Sequence, residues 1–277
     1  MAGSPRILRL TIILSLVVTW PAFAGQFFPD NWSEADGADV VILGEIHDNP
    51  HHHRNQAAAV AALNPSAMVF EQLTPDLAGK VTPSLLSDAQ ELGATLEWDA
   101  RGWPDFAMYY PIFAAAPKAA IHGGGAPRTD VRRAIDEGAA AVFGQRAELL
   151  GLDQSYSEDV QADLEALQQT AHCDALPADM LPGMVEAQRL RDAALADAVL
   201  QALRDRKVDD GQVIVITGNG HATNTYAVPA LLRRANPGLV VFSVGQFEDA
   251  APEAPDFDRW IVTDAVDRDD PCAVFKN

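Results

Sequence analysis

Positive charge is scarce in this chain: 20 Lys and Arg stand against 39 Asp and Glu over 277 residues, a formal charge of −19 at pH 7. Nucleic acid and anionic membrane surfaces are poor partners for such a balance, because Lys and Arg supply the attraction to phosphate. Cysteine is nearly absent, with Cys173 and Cys272 alone, so one bridge is the most the chain can form. Long apolar runs are missing past the first two dozen residues. Within those, Arg6 and Arg9 give a basic start, Ile12 to Val18 an apolar core, and Ala22-Phe23-Ala24 a small-x-small cleavage site. That pattern is a signal peptide over residues 1–24, cleaved after about Ala24. It is too short to span a bilayer comfortably and no stop-transfer pattern follows. A chain that is not an integral membrane protein, placed in a periplasm or outside the cell, is therefore expected. No internal repeat or low-complexity segment is present.

About 250 residues remain, enough for one α/β domain or a domain with an insertion. Short β-rich apolar runs predict buried strands at 40–43, 67–70, 118–121, 213–217, 239–244 and 260–263, with a weaker one at 149–152. Helical spacing predicts helices over 52–63, 105–115, 157–171, 184–203 and 222–235. Asn49 and Pro50 suit the N-cap and first turn of the first helix, and Ser157 opens the third. Alternating strands and helices predict an α/β fold, a mostly parallel central sheet flanked by helices. The stretch from about 129 to 207 reads as a smaller helical subdomain within one domain spanning 25–277. Residues 75–102 read as irregular, and 248–258 as an acidic surface loop.

Three of the apolar runs stop at residues able to do chemistry. The first is followed by Glu45 and His47, the second by Glu71, and the fourth by Gly218-Asn219-Gly220-His221. In an open parallel sheet the C-terminal strand ends share one crevice, where ligands bind. Only adjacency in the sheet can bring together groups so far apart in sequence. His47, Glu71 and His221 form a set able to hold a divalent metal through imidazole and carboxylate. With Glu45 in support, the same set can work without metal as general acid and base. The Gly-x-x-His pattern occurs twice, and its glycines are expected to permit a sharp turn. His122, before Gly123-Gly124-Gly125, is either a fourth member of that edge or a turn residue beside a flexible loop. His51-His52-His53 opens a helix, so at most two of the three can face His47, and the run reads mostly as a solvated helix start. Gln188 and Asp192, one turn apart, read as part of a solvated helix face. In an oxidising compartment Cys173 and Cys272 can close a loop of about 100 residues, worth about 4–5 kcal/mol in chain-entropy models. Tyr226, five residues past His221, could ligate ferric haem iron as phenolate, as histidine can.

These pieces together resemble the ChaN-like family of haem-binding uptake proteins, whose superfamily includes Tiki-type metalloproteases and erythromycin esterases. The likeness is carried by Leu43-Gly44-Glu45-Ile46-His47-Asp48-Asn49-Pro50 with His52-His53, then Phe70-Glu71, His172-Cys173, Gln188-Arg189-Leu190-Arg191-Asp192 and Gly218-Asn219-Gly220-His221 through Val228-Pro229. The resemblance implies a parallel-sheet α/β domain, export, and a role in haem or iron uptake. It makes Tyr226, His221, His52 and His53 candidates for holding haem. It also implies tyrosine ligation and dimer formation around haem, with Arg54, Arg128 and Arg189 available for the propionates. The hydrolytic relatives imply instead that His47, Glu71 and His221 act in hydrolysis, with or without a divalent metal. A haem or other small-molecule ligand and a hydrolytic substrate both remain open at this point.

Overall fold

The computed structural model describes residues 25–26, 32–206 and 211–275; the signal peptide expected over 1–24 lies outside the described residues. The chain enters at β1 (Gly25–Gln26) and continues through β2 (Val40–Leu43), α1 (Pro50–Leu63) and β3 (Ala67–Phe70). Two short helices, α2 (Pro75–Ala78) and α3 (Ala89–Thr95), precede α4 (Phe106–Ala115) and β4 (Ala120–Gly123). Four helices follow: α5 (Arg128–Glu137), α6 (Ala139–Phe143), α7 (Glu158–Ala171) and the long α8 (Leu181–Asp205). The last third holds β5 (Val213–Ile216), α9 (Asn219–Ala222), α10 (Val228–Ala235), β6 (Val241–Glu248) and β7 (Arg259–Thr263).

All strand pairs are parallel, in the order β1-β7-β6-β2-β5-β3-β4, with the two-residue β1 at one edge. The α/β class and the parallel sheet thus agree with the sequence pattern. The two sides of each strand bury different neighbours, because side chains alternate with period two. Val41, Leu43, Met68, Phe70, Ile214 and Ile216 join the core under α1 and α4, with Phe113 and Tyr109. Val40, Ile42, Val69, Val213 and Val215 join the core under α8 and α10, with Leu195 and Leu232. Burial on both faces is why these runs read as unbroken apolar stretches. The helical stretch 129–207 is built from α5 to α8, and α8 packs directly on β3, β4 and β5. Its last helix is therefore part of the layer that covers the sheet. Among the described residues no helix is long and apolar enough to cross a membrane.

Three local expectations change. Residues 149–152 form no strand: a 3-10 turn at Glu148–Leu150 runs into Gly151 at φ +73°, and Leu150 and Leu152 are buried without sheet partners. The helix expected over 222–235 is broken, with extended backbone at Thr223 and Ala227 and Pro229 in the first turn of α10. Pro229 has no N–H to carry the helix backward. Of the two readings left open at His122, the flexible loop fails at Gly123–Gly125, which are wedged: a Cβ on Gly124 would stand 2.5 Å from Leu195 Cδ2 and one on Gly125 2.5 Å from Glu71 O.

Cys173 and Cys272 are bonded across a separation of 99 residues. The bridge ties the chain just past α7 to the C-terminal turn. A Cys173→Ser/Cys272→Ser variant is expected to lose about 2–4 kcal/mol of stability, from the loop entropy returned to the unfolded chain. Denaturant unfolding of the two proteins measures it, and coincident curves would show that the bridge adds nothing.

Candidate functional site

Register puts the site together. Leu43, Ile216 and Phe70 are level across β2, β5 and β3, so the residues that follow them meet at one edge. Alternation then divides them. Gln72 shares the side of Phe70 and Glu45 the side of Leu43, and they meet where Gln72 Nε2 donates to Glu45 Oε1 at 3.1 Å. Glu71 takes the side of Val69, towards α8.

Glu45 is 2% exposed. Its Oε1 also accepts from Tyr109 Oη at 2.7 Å and His47 Nδ1 at 2.8 Å, while His53 Nδ1 stands 3.3 Å from Oε2. Burial alone would raise the pKa of this carboxyl, but the contacts with His47 and His53 hold it down at about 2. Its own burial, and then the Glu45 carboxylate, push the Tyr109 hydroxyl far above its ordinary range, so it remains a proton donor.

Glu71 has a different environment. Its Oε2 accepts from Thr217 Oγ1 at 2.7 Å and Gly218 N at 2.8 Å. Its Oε1 faces two imidazoles, with His221 Nε2 at 3.5 Å and His47 Nε2 at 3.9 Å. Burial works against its charge, and the two histidines and the Gly218 amide overcome it, so its pKa is depressed. His221 Nδ1 is 2.6 Å from Asp192 Oδ1 and 3.1 Å from Gln188 Nε2. Burial would lower the His221 pKa, but Glu71 and Asp192 raise it to about 10. His47, whose side chain is 38% exposed, is the member open to solvent. Its pKa is raised by Glu45 and Glu71 in spite of desolvation. The array thus reads Glu45, His47, Glu71, His221, Asp192, each imidazole pinned by a carboxylate at Nδ1 with Nε2 turned to Glu71.

The structure brings His47, Glu71, His221 and Glu45 to one place. Among the described residues, however, no group of three or more His, Cys, Asp or Glu is placed to hold a metal ion. The triad expected as metal ligands is spent on ion pairs and hydrogen bonds within the array. His52 and His53 are not open ligands either. His52 Nδ1 accepts from Ile46 N and Nε2 meets Thr263 Oγ1, while His53 Nε2 donates to His47 O. Both rings are 1% exposed or less. His221 is likewise closed off from iron by Asp192 and Glu71. His122 stands apart, lining a separate groove with Asp197 and Gln201. Asp192, 4% exposed, belongs to the array although the sequence suggests a solvated face. The Gln188 and Asp192 spacing was the available signal, and the burial of α8 gives it meaning.

The glycines of the repeated Gly-x-x-His serve close approach instead of a turn. Gly218 has ordinary extended backbone at φ −66°, and a Cβ there would lie 3.0 Å from His47 Nε2. At Gly44 a Cβ would collide with Asn219 Oδ1. Asn219 needs that place because its amide donates to Gln246 O at 2.6 Å and accepts from Gln246 N at 3.0 Å, clamping the loop to β6.

Comparison with known proteins adds a family. A family model described as haem-binding uptake, Tiki superfamily, ChaN matches residues 31–232. The fold is similar to a solved structure described as cofacial haem binding to ChaN of Campylobacter jejuni. Sequence identity is 19%, the TM-score is 0.62, and 82% of this chain and 88% of that one are covered. The type III effector HopBA1 follows at 13% identity and TM-score 0.43, covering 84% of this chain and 90% of that one. A Bacillus cereus protein stands at 14% and 0.38, with 78% and 68% covered. No curated protein sequence matches the chain.

Two members of the array, His221 and Glu45, set a pH window. His221, raised from 6.5 to about 10, contributes stability that is complete below pH 6.5 and lost as pH climbs towards 10. Glu45, lowered from 4.5 to about 2, contributes above pH 4.5 and loses it as pH falls towards 2. Thermal unfolding against pH is expected to show the array's full contribution between 4.5 and 6.5. In Glu71→Gln the alkaline decline should move to lower pH; an unmoved alkaline limb would detach it from His221.

Proposed function

The chain belongs to the haem-binding uptake family of the Tiki superfamily that includes ChaN, and from that membership we propose that it binds haem. The observation that carries the reading is a groove of 390 Å³ between α7, α8 and the turn before α10. Leu164, Leu167, Met184 and Val185 give it apolar walls, and Tyr226, His172 and Arg191 stand among them. Haem needs those three things: apolar faces for the macrocycle, an oxygen or nitrogen donor for iron, and a cation for the propionates. His172 Nδ1 donates to Gln168 O at 2.8 Å, which leaves its Nε2 lone pair free. The Tyr226 hydroxyl makes no hydrogen bond among the described residues. Burial and the carboxylates of Asp256, Asp163 and Asp192 raise its pKa, so a ferric ion would have to draw off the proton. Arg191 is the cation for a propionate, since Arg189 is held by Glu186, Gln154 O and the Tyr156 ring. Bound haem would supply a ferric centre for these donors.

The half-exposed Leu167, at 51%, leaves one side of the groove uncovered, which supports a second copy closing over the ligand. Export to a periplasm or the cell exterior, with a part in haem or iron uptake, completes the proposal. The leader pattern over 1–24 supports it, as does a disulfide of the kind kept in oxidising compartments.

Titration of the purified protein with haemin is expected to give a saturable, shifted Soret band, with Tyr226→Phe and His172→Ala each weakening binding by about tenfold or more. A featureless titration would overturn the reading. Light scattering with and without haemin reports the second copy.

A second reading rests on one observation, the pairing of each imidazole with a buried carboxylate around Glu71. Such an array can carry out acid–base hydrolysis, with His47 Nε2 as the accessible base and His221 as the acid. A screen of ester and peptide substrates tests it: turnover abolished in His47→Ala is expected, and turnover unchanged there would exclude the array as its source.

A further inference from the structure

Next to Glu71 lies a second cavity, of 450 Å³, with Arg101, Arg128, Arg132 and Arg191 in its wall and the Trp103 ring beside them. Four guanidiniums at one cavity are unexpected in a chain with so few cations. Elsewhere the surplus of carboxylates is used: Arg133, Arg206 and Arg268 each pair with Asp or Glu at 2.7–2.8 Å. None of the four cavity arginines makes an ion pair among the described residues, although Glu71, in the same wall, and Asp192 act on Arg191 through space. Arg128 donates only to Arg101 O, and the buried Arg101 Nε has no hydrogen-bond partner there. Arg128 also opens α5, a helix start that no side chain caps, so the positive end of the helix adds to the same rim.

Gathering four like charges costs repulsion, and leaving a buried guanidinium N–H unmet costs more. Both costs are offset when an oxyanion enters and takes the fork-shaped donors in pairs. We propose that this cavity is an oxyanion-binding subsite for a small molecule carrying a carboxylate or phosphate group, held beside Glu71 and His47. Trp103 lines the cavity and stands edge-on to the His47 ring at 5.1 Å, so a ligand anchored by the arginines lies next to the open imidazole. Arg191 lines this cavity and the apolar groove alike. The two spaces are therefore neighbours, and the anion could belong to haem through its propionates or to a separate metabolite.

The site does not depend on the haem reading, and its test is separate. Calorimetric titration of the full chain at low salt with inorganic pyrophosphate, and with succinate, is expected to show saturable binding of at least one probe. Arg128→Ala/Arg132→Ala should weaken that binding by about tenfold or more. Both side chains are exposed, so the variant should keep its thermal midpoint. Arg133→Ala, on the same helix but paired with Glu137, should bind the probe as the parent does. No saturable binding of either probe, or equal binding by the double variant, overturns the proposal. Haemin titrated in the presence of saturating probe then names the source. Competition assigns the subsite to the propionates, and unchanged haemin binding or no haemin binding assigns it to another anion.

Discussion

Glu71 is a largely enclosed negative charge, its side chain 12% exposed, with its two oxygens committed in opposite directions. Thr217 and the Gly218 amide take Oε2, which fixes the carboxylate to the end of β5; Oε1 is left to face His221 and His47. A carboxylate so placed is tolerable only if compensated, and its compensation organises the rest. His221 is held charged by it and by Asp192, which requires α8 to lie where it does. His47 is swung over the sheet end by Glu45, which in turn needs Tyr109 and Gln72 as donors. Removing the central charge would leave one imidazolium buried with a weaker reason to be charged.

The sheet edge was legible because a parallel, doubly covered strand leaves an unbroken apolar run, and three such runs ended on Glu or His. Their meeting could be inferred from parallel topology, since the register that makes Leu43, Ile216 and Phe70 level is what such strands adopt. Asp192 was not legible. Gln188, Arg189, Arg191 and Asp192 on a helix look like a solvated face, and only the docking of α8 on the sheet buries the aspartate against His221. The histidine triplet misled for a related reason. At the start of α1, His52 and His53 turn inward to satisfy backbone and carboxylate groups, a structural use that composition cannot distinguish from ligation. The repeated glycines were visible, but their reason was not: contacts between loops from different strands demand the missing Cβ, while the backbone there is ordinary.

The crevice has two compartments of different character on either side of Arg191. One has apolar walls with a phenol and an imidazole, the other is lined by guanidiniums, and the acid–base array lies between them. The proposed haem ligand, with a flat apolar body and anionic ends, would draw on both compartments.

Asn219 has a further implication. Beyond Leu43, β2 leaves the sheet, and the Asn219 amide presents to Gln246 one donor and one acceptor, the same pair a strand residue would offer. The side chain acts as a substitute rung, closing the gap so that β2 can peel away and carry Glu45 and His47 into the crevice. It fits only because Gly44 has no side chain. Positions 44 and 219 are therefore sterically coupled: a larger residue at the first would displace the Asn219 side chain, and with it the rung that lets β2 depart.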